Sequence, residues 1–532
     1  MNSPGEKLRA GWRWLAYDFL GIFREIRLSY VPPLMVYFAA GVSAFTGIIE
    51  SFFVKEELGL AASFLAGLAF WAGIPWALKM PLGHLVDLFW RRKSLFVYIG
   101  ALLMAFSLLV MVGLTGYKEW MAGIMPLADW YILSVLVAPI GYVLQDVVAD
   151  AMTVEAVPTH TDKGIKINEA ELQRRHITMQ TLGRIAIVGG GAFVAGLGGW
   201  LATTISYSAM YRMSLLIPVI SIIGVTAGYW MTRKRRHRLA AEGLSPAEIG
   251  RIEYGEETPP KPNWRILSGS ALFIVITLIL GLVRIPGNME IIFAVSLFIV
   301  LYLMMELIRD IDPGKKREIV GIAVIIFVFR AMPGIGPGAG WWQIDVLGFD
   351  EAFFGTLRQI SSILAIIGMF ALRGWMARRP VPYLVVFLSV YSTVMFLPFI
   401  GMYYGLHEWT EKIFGFGAKG IAIIDTMADS PMGQVAMIPM LAWIAKEAPR
   451  DKKATYFAVM AAFTNLALSL SQLLTVYLNK IFVVERGVYG ELGALMIVVA
   501  GLALFIPLLA VYLFNPKYHL VLRHIFKAQS GR

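Results

Sequence analysis

The chain has 532 residues, of which 58% are hydrophobic and only 16% charged, and its mean hydropathy is +0.67. A soluble domain carries about 25% charged residues, so the composition indicates a polytopic membrane protein and argues against a soluble enzyme. The net charge of +11 lies in short loops between apolar runs, which argues against nucleic acid, and the absence of cysteine excludes disulfides, thiolate catalysis and Cys-based metal sites.

The first 30 residues lack the continuous apolar core and cleavage site of a signal peptide. Trp12, Leu15, Phe19, Ile22, Phe23 and Ile26 fall at helical spacing with Arg13, Arg24, Glu25 and Arg27 between them, which predicts an amphipathic helix lying in the interface. A membrane span needs about 20 apolar residues. Six such runs follow, at about 31–54, 62–82, 94–115, 130–154, 177–203 and 211–232. A polar connector then opens with Arg233-Lys-Arg-Arg-His-Arg238 and leads to two further runs, about 266–284 and 289–308, that turn at Pro286-Gly287. The last six runs cover about 318–345, 355–373, 381–402, 420–445, 454–480 and 490–514.

The runs predict an all-α polytopic membrane protein of fourteen spans: two six-helix bundles, 31–232 and 318–514, with an inserted two-helix hairpin inside a linker at 233–317 and a tail at 515–532. Loop charge agrees with that count. Arg91-Arg-Lys93, Lys163, Lys166, Arg174-Arg175, Arg233 to Arg238, Lys315-Lys-Arg317, Arg378-Arg379 and Lys446 to Lys453 all fall on one side. The other side carries acids, at Lys55-Glu-Glu57, Asp345 to Glu351 and Glu408 to Lys419. By the positive-inside rule both termini face the cytoplasm, and the plasma (inner) membrane is the expected location. Two bundles joined by a connector suggest a secondary transporter with its site near the midplane.

The segment Tyr142-Val-Leu-Gln-Asp-Val-Val-Ala-Asp-Ala-Met-Thr-Val-Glu155 places three carboxylates in an apolar context. On a helix, Asp146 and Asp150 stack on one face. An ionisable group near a bilayer centre costs about 2.5 kcal/mol or more and faces a wet cavity or an opposite charge. Asp146 and Asp150 are therefore candidates for proton coupling, with Glu50 in span 1 as a third. The competing reading makes Asp150 or Glu155 a fixed latch to Arg91 or Arg92.

A second Asp-x-x-Ala-Asp lies at Asp425 and Asp429 in span 10. Counted back from the terminal prolines Pro158 and Pro449, it sits about 18 Å away in depth at 1.5 Å per residue, so the shared spelling does not indicate a repeat. Asp425 and Asp429 are candidates for an outer gate, and a solvated helix start before Ser430-Pro431 is the alternative.

Arg330, Arg184 and Arg358 stand inside predicted spans and could bind an anionic substrate through the guanidinium fork. Their alternative role is a buried pair with Glu50, Asp146 or Asp425. Gly189-Gly-Gly191, Gly196 and Gly198-Gly199 would allow close helix packing. The run Met332-Pro-Gly-Ile-Gly-Pro-Gly-Ala-Gly340 is incompatible with a regular helix, so Pro333, Gly334, Gly336 and Pro337 are expected to form a hinge or gate, with a plain packing kink as the alternative. Trp341-Trp342 could stack on a flat ring, although tryptophan at a membrane interface is ordinary.

The connection between spans 2 and 3, Gly83-His-Leu-Val-Asp87-Leu-Phe-Trp-Arg91-Arg92-Lys93, resembles the cytoplasmic signature of the major facilitator superfamily. In that signature a glycine turn, an aspartate and basic residues couple neighbouring helices, which would give Gly83, Asp87, Arg91 and Arg92 a gating role. Leu88 and Trp90 depart from it where an arginine and a glycine are usual. Gly374-Trp-Met-Ala-Arg378-Arg379 echoes it in the second half. Further stretches are similar to the folate–biopterin transporter family within that superfamily: Ser51-Phe-Phe-Val-Lys-Glu-Glu-Leu-Gly59, Leu78-Lys-Met-Pro-Leu-Gly83, Gln145-Asp-Val-Val-Ala-Asp150, Phe329-Arg-Ala-Met-Pro333 and Val346-Leu-Gly-Phe349. The resemblance implies a major-facilitator-like twelve-helix core and a pteridine or related anion as substrate; the hairpin lies outside it.

No phosphate-cradling Gly-Lys-Ser/Thr loop and no His-Glu-x-x-His is present, so no enzyme, cofactor or metal site is expected. Taken with the resemblance, which implies the folate- or pterin-like substrate, the expectation is a symporter for an anionic metabolite, with the small anion, protons and the bilayer as partners. The alternatives are a membrane assembly or delivery factor on a transporter scaffold, with the hairpin as docking surface, and a transporter of a different small molecule.

Overall fold

The apolar runs fold as helices, and the described residues add only one isolated bridge, between Glu485 and Val488. This computed structural model describes residues 26–77, 79–89, 92–157, 167–246, 286–309, 311–376, 379–433 and 453–515, with a few more between 248 and 279. Residues 1–25 of the predicted interfacial helix, most of the run at 266–284 and the end of the run at 420–445 lie outside them. Among the described residues, nine helices are long and apolar enough to cross a membrane, and Ala62–Trp76 and Asn288–Tyr302 are shorter apolar helices.

The first span opens as α1 (Val31–Val42), which starts on Pro32-Pro33, where the first-turn N–H groups lack intrahelical partners anyway. It tightens into a 3-10 turn at Ser43–Thr46, continues as α2 (Gly47–Phe53) and widens into a π turn at Val54–Leu58. Next come α3 (Ala62–Ala77), α4 (Lys79–Leu88), α5 (Ser94–Gly116) and the short α6 (Lys118–Ala122). They are followed by α7 (Leu127–Ala156), α8 (Glu169–Ala202), α9 (Tyr207–Ser214) and α10 (Leu216–Ala241).

Beyond the connector lie α11 (Asn288–Leu307), α12 (Pro313–Arg330), α13 (Gly338–Asp345), α14 (Glu351–Met376) and α15 (Val381–Tyr403). The short α16 (Leu406–Phe414), α17 (Ala418–Gly433), α18 (Lys453–Ile481) and α19 (Leu492–Phe514) complete the chain. Starts are set by polar caps: the Asn168, Ser206 and Asp312 side chains accept first-turn N–H groups of α8, α9 and α12.

Helices α1, α5, α7, α8 and α10 pack on one another, and α12, α14, α15, α17, α18 and α19 form a second group. Two seams join the groups, α8 on α14 and α3 with α4 on α18. The first seam is close because glycine meets glycine: a Cβ on Gly199 would stand 2.7 Å from the Gly355 Cα.

Helix α11 covers the second seam. Its Met289, Ile292 and Phe293 cluster with Phe70 and Ile74 of α3 and Leu473 of α18, and Glu290 accepts a hydrogen bond from the Tyr477 hydroxyl. Further along, Val300 and Met304 join Val459, Met460 and Phe463 of α18.

Candidate functional site

Among the described residues, the in-span charged residues that the sequence singles out lie at four places. The first is on α7. Asp146 and Asp150 share a face, as their spacing predicts, and Lys79 at the start of α4 reaches both: its Nζ lies 2.5 Å from Asp146 Oδ2 and 2.7 Å from Asp150 Oδ2. The Tyr37 hydroxyl of α1 donates to Asp150 Oδ1 at 2.5 Å. Arg184 of α8 is near enough to act electrostatically on Asp146 and on Tyr37.

Asp150 is thus tied to Lys79, which sequence reading did not single out. Arg92 is exposed, while Arg91 and the side chains of Asp87 and Glu155 lie outside the described residues. Gly83 sits within helix α4 with nothing within 4 Å of a would-be Cβ, so the glycine turn that the resemblance implied does not form at this residue.

The second place lies on the seam between the groups. Glu50 of α2 accepts a hydrogen bond from the Tyr131 hydroxyl at 2.9 Å. Arg358 of α14 reaches across to the Gly47 carbonyl, 3.5 Å from Nη2, one turn before Glu50. Arg358 and Glu50 act on each other electrostatically. The sequence placed these two in separate roles, with pairing of the in-span arginines to Glu50, Asp146 or Asp425 as the alternative, and the structure makes Arg358 and Glu50 neighbours.

The third place is the interrupted span 7. Helix α12 ends at Arg330 and helix resumes at Gly338, so the Pro–Gly run breaks the span as its composition predicts. Arg330 Nε is buried and has no hydrogen-bond partner among the described residues. The freed backbone is met by one face of α18: Ser471 Oγ donates to the Met332 carbonyl (2.6 Å), Thr475 Oγ1 accepts from Gly334 N (2.9 Å), and Asn479 Nδ2 donates to the Ile335 carbonyl (3.0 Å). Gly336 adopts φ +89°, and a Cβ there would meet Asn479 at 2.6 Å. Pro333 is buried beside this row. Trp341 and Trp342 are core residues, and Trp342 packs on Phe399 and Tyr403, so neither offers a free stacking face.

The fourth place is α17. Asp425 Oδ1 is buried without a hydrogen-bond partner among the described residues, and the Asp429 residue is exposed. Tyr391 of α15 donates to the Ala428 carbonyl between them at 2.6 Å. Helix α17 begins at Ala418 and continues through Pro431, so these aspartates lie inside the helix, and the alternative of a helix start at Asp429 is overturned.

At the end of the molecule that carries Lys55, the two groups are locked together. Lys55 is buried and pairs with Asp345 at 2.5 Å, and Asp345 also accepts from the Tyr489 hydroxyl. Arg486 donates to the Glu56 carbonyl at 3.1 Å, and Tyr207 donates to Glu351 at 2.6 Å. Burial, and then the bond to Asp345, push the Tyr489 phenol up to about 12, so this lock stays intact through the neutral range.

Lys79, Tyr37, Tyr131 and the Ser471–Thr475–Asn479 row were missed in the sequence. Two signals were available: a single cation in the otherwise apolar run 62–82, and polar residues repeating every four positions on α18.

Comparison with known proteins fits this architecture. Residues 40–521 match the BT1 family. A folate-biopterin transporter from Synechocystis sp. (strain ATCC 27184 / PCC 6803 / Kazusa) is 22% identical over 495 residues, covering 89% of this chain and 79% of the relative. Among solved structures, a peptide transporter POT in complex with sulfate aligns at TM-score 0.62 and 14% identity, over 92% of this chain and 94% of that one. The nucleoside transporter NupG aligns at TM-score 0.52 and 12% identity, over 92% and 100%. At such identity these two structures speak to the fold, which is major-facilitator-like.

Proposed function

The chain belongs to the BT1 family of membrane transporters, and on that premise we propose that it moves an anionic, folate- or pterin-like metabolite by alternating access, driven by a proton gradient. In this reading the units are the two six-helix halves and the linker with its hairpin, both termini are cytoplasmic, and the membrane is the plasma (inner) membrane. Arg330, Arg184 and Arg358 bind the anion, Glu50, Asp146 and Asp150 exchange protons, and the break at Pro333 to Pro337 is the hinge. Gly83, Asp87, Arg91 and Arg92 act as the gate on the cytoplasmic side, and Asp425 and Asp429 on the other.

The observation that carries the reading is the approach of Arg358 to Glu50 across the seam. Arg358 lies seven residues into α14, about 10 Å from its start at 1.5 Å per residue. An anion arriving there competes with Glu50 for the guanidinium. A carboxylate that loses its counter-charge in an apolar seam takes up a proton, so anion binding and proton loading become one event. Arg330, with an unsatisfied Nε, is a second donor for the same ligand.

The test is uptake of labelled folate into proteoliposomes with an imposed pH gradient. Gradient-dependent accumulation supports the reading, and absence of uptake removes the folate assignment.

A further inference from the structure

A lysine inside an apolar span is as costly to hold charged as a carboxylate, and Lys79 is held by two carboxylates at once, at 2.5 and 2.7 Å. Two carboxylates so close do not both stay ionised unless a cation stands between them. The charged and titratable groups that act on the pair among the described residues are Lys79 from α4, Arg184 from α8 and Tyr37 from α1. Two cations therefore face two anions, and the cluster is formally neutral. Lys79 is also the member placed to move. Helix α4 packs against α7 in its own group and against α18 in the other. Pro75, four residues earlier, removes the backbone hydrogen bond to the Trp71 carbonyl, which makes this stretch of the span the easiest to bend.

We infer that Lys79 is the positioning residue that keeps Asp146 and Asp150 both ionised, and that its withdrawal, when α18 shifts against α4, is what admits a proton to the pair. The second half rests on the coupling reading of these aspartates; the first needs no substrate. Lys79 thereby links the rocking of the two helix groups to the protonation state of a cluster that lies within one of them.

Infrared spectroscopy of the purified full-length protein in lipid nanodiscs, near neutral pH and without substrate, reads protonated carboxyl groups directly. Lys79→Gln is expected to gain about one protonated carboxyl per molecule, Lys79→Arg to gain none, and Lys79→Gln/Asp146→Asn to lose the gain. A folded Lys79→Gln variant with the wild-type spectrum overturns the inference. Where Lys79→Gln does not fold, the charge-balanced Lys79→Gln/Asp146→Asn variant must recover yield and thermal stability. A double variant no more stable than the single one overturns the inference too. A wild type that carries no folate removes the substrate assignment and leaves the infrared result unchanged.

Discussion

Lys55 and Asp345 form a 2.5 Å ion pair between the end of the first span and the end of the interrupted run at 318–345, so one side chain from each helix group closes the same end of the molecule. Lys55 is the buried partner, at 7% side-chain exposure against 31% for Asp345. Removing one member of such a pair strands the other, which is more disruptive than removing both. Lys55→Met is therefore expected to open this end and Lys55→Met/Asp345→Asn to open it less. Because the chain has no cysteine, a thiol placed at Ala195, buried where α8 meets α14, reports opening through its labelling rate. A rise of at least roughly tenfold in Lys55→Met corresponds to about 1.4 kcal/mol; an unchanged rate refutes the lock.

The glycine contact of the α8–α14 seam makes a second prediction. Gly199→Ala places a methyl 2.7 Å from the Gly355 Cα, and backbone has little room to yield. Overpacking of this kind costs about 1–3 kcal/mol, here charged against the locked arrangement. Gly189 has nothing within 4 Å of a would-be Cβ, so Gly189→Ala is the neutral control. Thermal melting of the two variants should differ by several degrees, and equal melting would show that the seam tolerates the methyl.

The broken span 7 was legible in the sequence because proline and glycine act locally: no arrangement of Met332 to Gly340 hides the missing N–H groups. The pairing of Lys79 with Asp146 was not legible, because 67 residues separate them and no local spacing marks the contact. Glu50 and Arg358 were one of several pairings that the sequence left open, and only the packing of the two groups selects it. Helical periodicity put Asp146 and Asp150 on one face, but their partners depend on tertiary packing. Terminal prolines put Asp425 at a different depth from Asp150, yet the start of α17 at Ala418 was needed to place it inside a helix.

The α18 row that satisfies the break gives a third prediction. Thr475→Val leaves the Gly334 N–H without its acceptor, and Asn479→Leu strips the Ile335 carbonyl of its donor. Each should cost about 1–3 kcal/mol, the penalty of an unsatisfied buried polar group. Gly336→Ala should be worse than either, since it adds a strained φ to a clash with Asn479. The order of melting temperatures checks this, and a Gly336→Ala protein as stable as wild type would contradict it.

Helix α11 spans the second seam and is expected to travel with α18. A bifunctional thiol reagent joining Gly67→Cys to Met289→Cys, where the methionine sulfur lies 3.8 Å from a would-be Cβ, ties it to α3 and should abolish exchange of labelled folate across the membrane. A bifunctional thiol reagent joining Glu290→Cys to Tyr477→Cys, whose native side chains meet at their tips, ties it to α18 and should leave exchange intact. Inhibition by the second cross-link alone would assign α11 to the other group.

The most direct measurement is proton movement itself. Proteoliposomes loaded with a pH-sensitive dye and given folate outside should show acidification of the lumen with the wild type. Glu50→Gln, with no carboxyl beside Arg358 to take up a proton, should still exchange folate for folate but give a smaller acidification, the remainder coming from Asp146 and Asp150. A proton signal of the same size in Glu50→Gln and wild type would contradict the account.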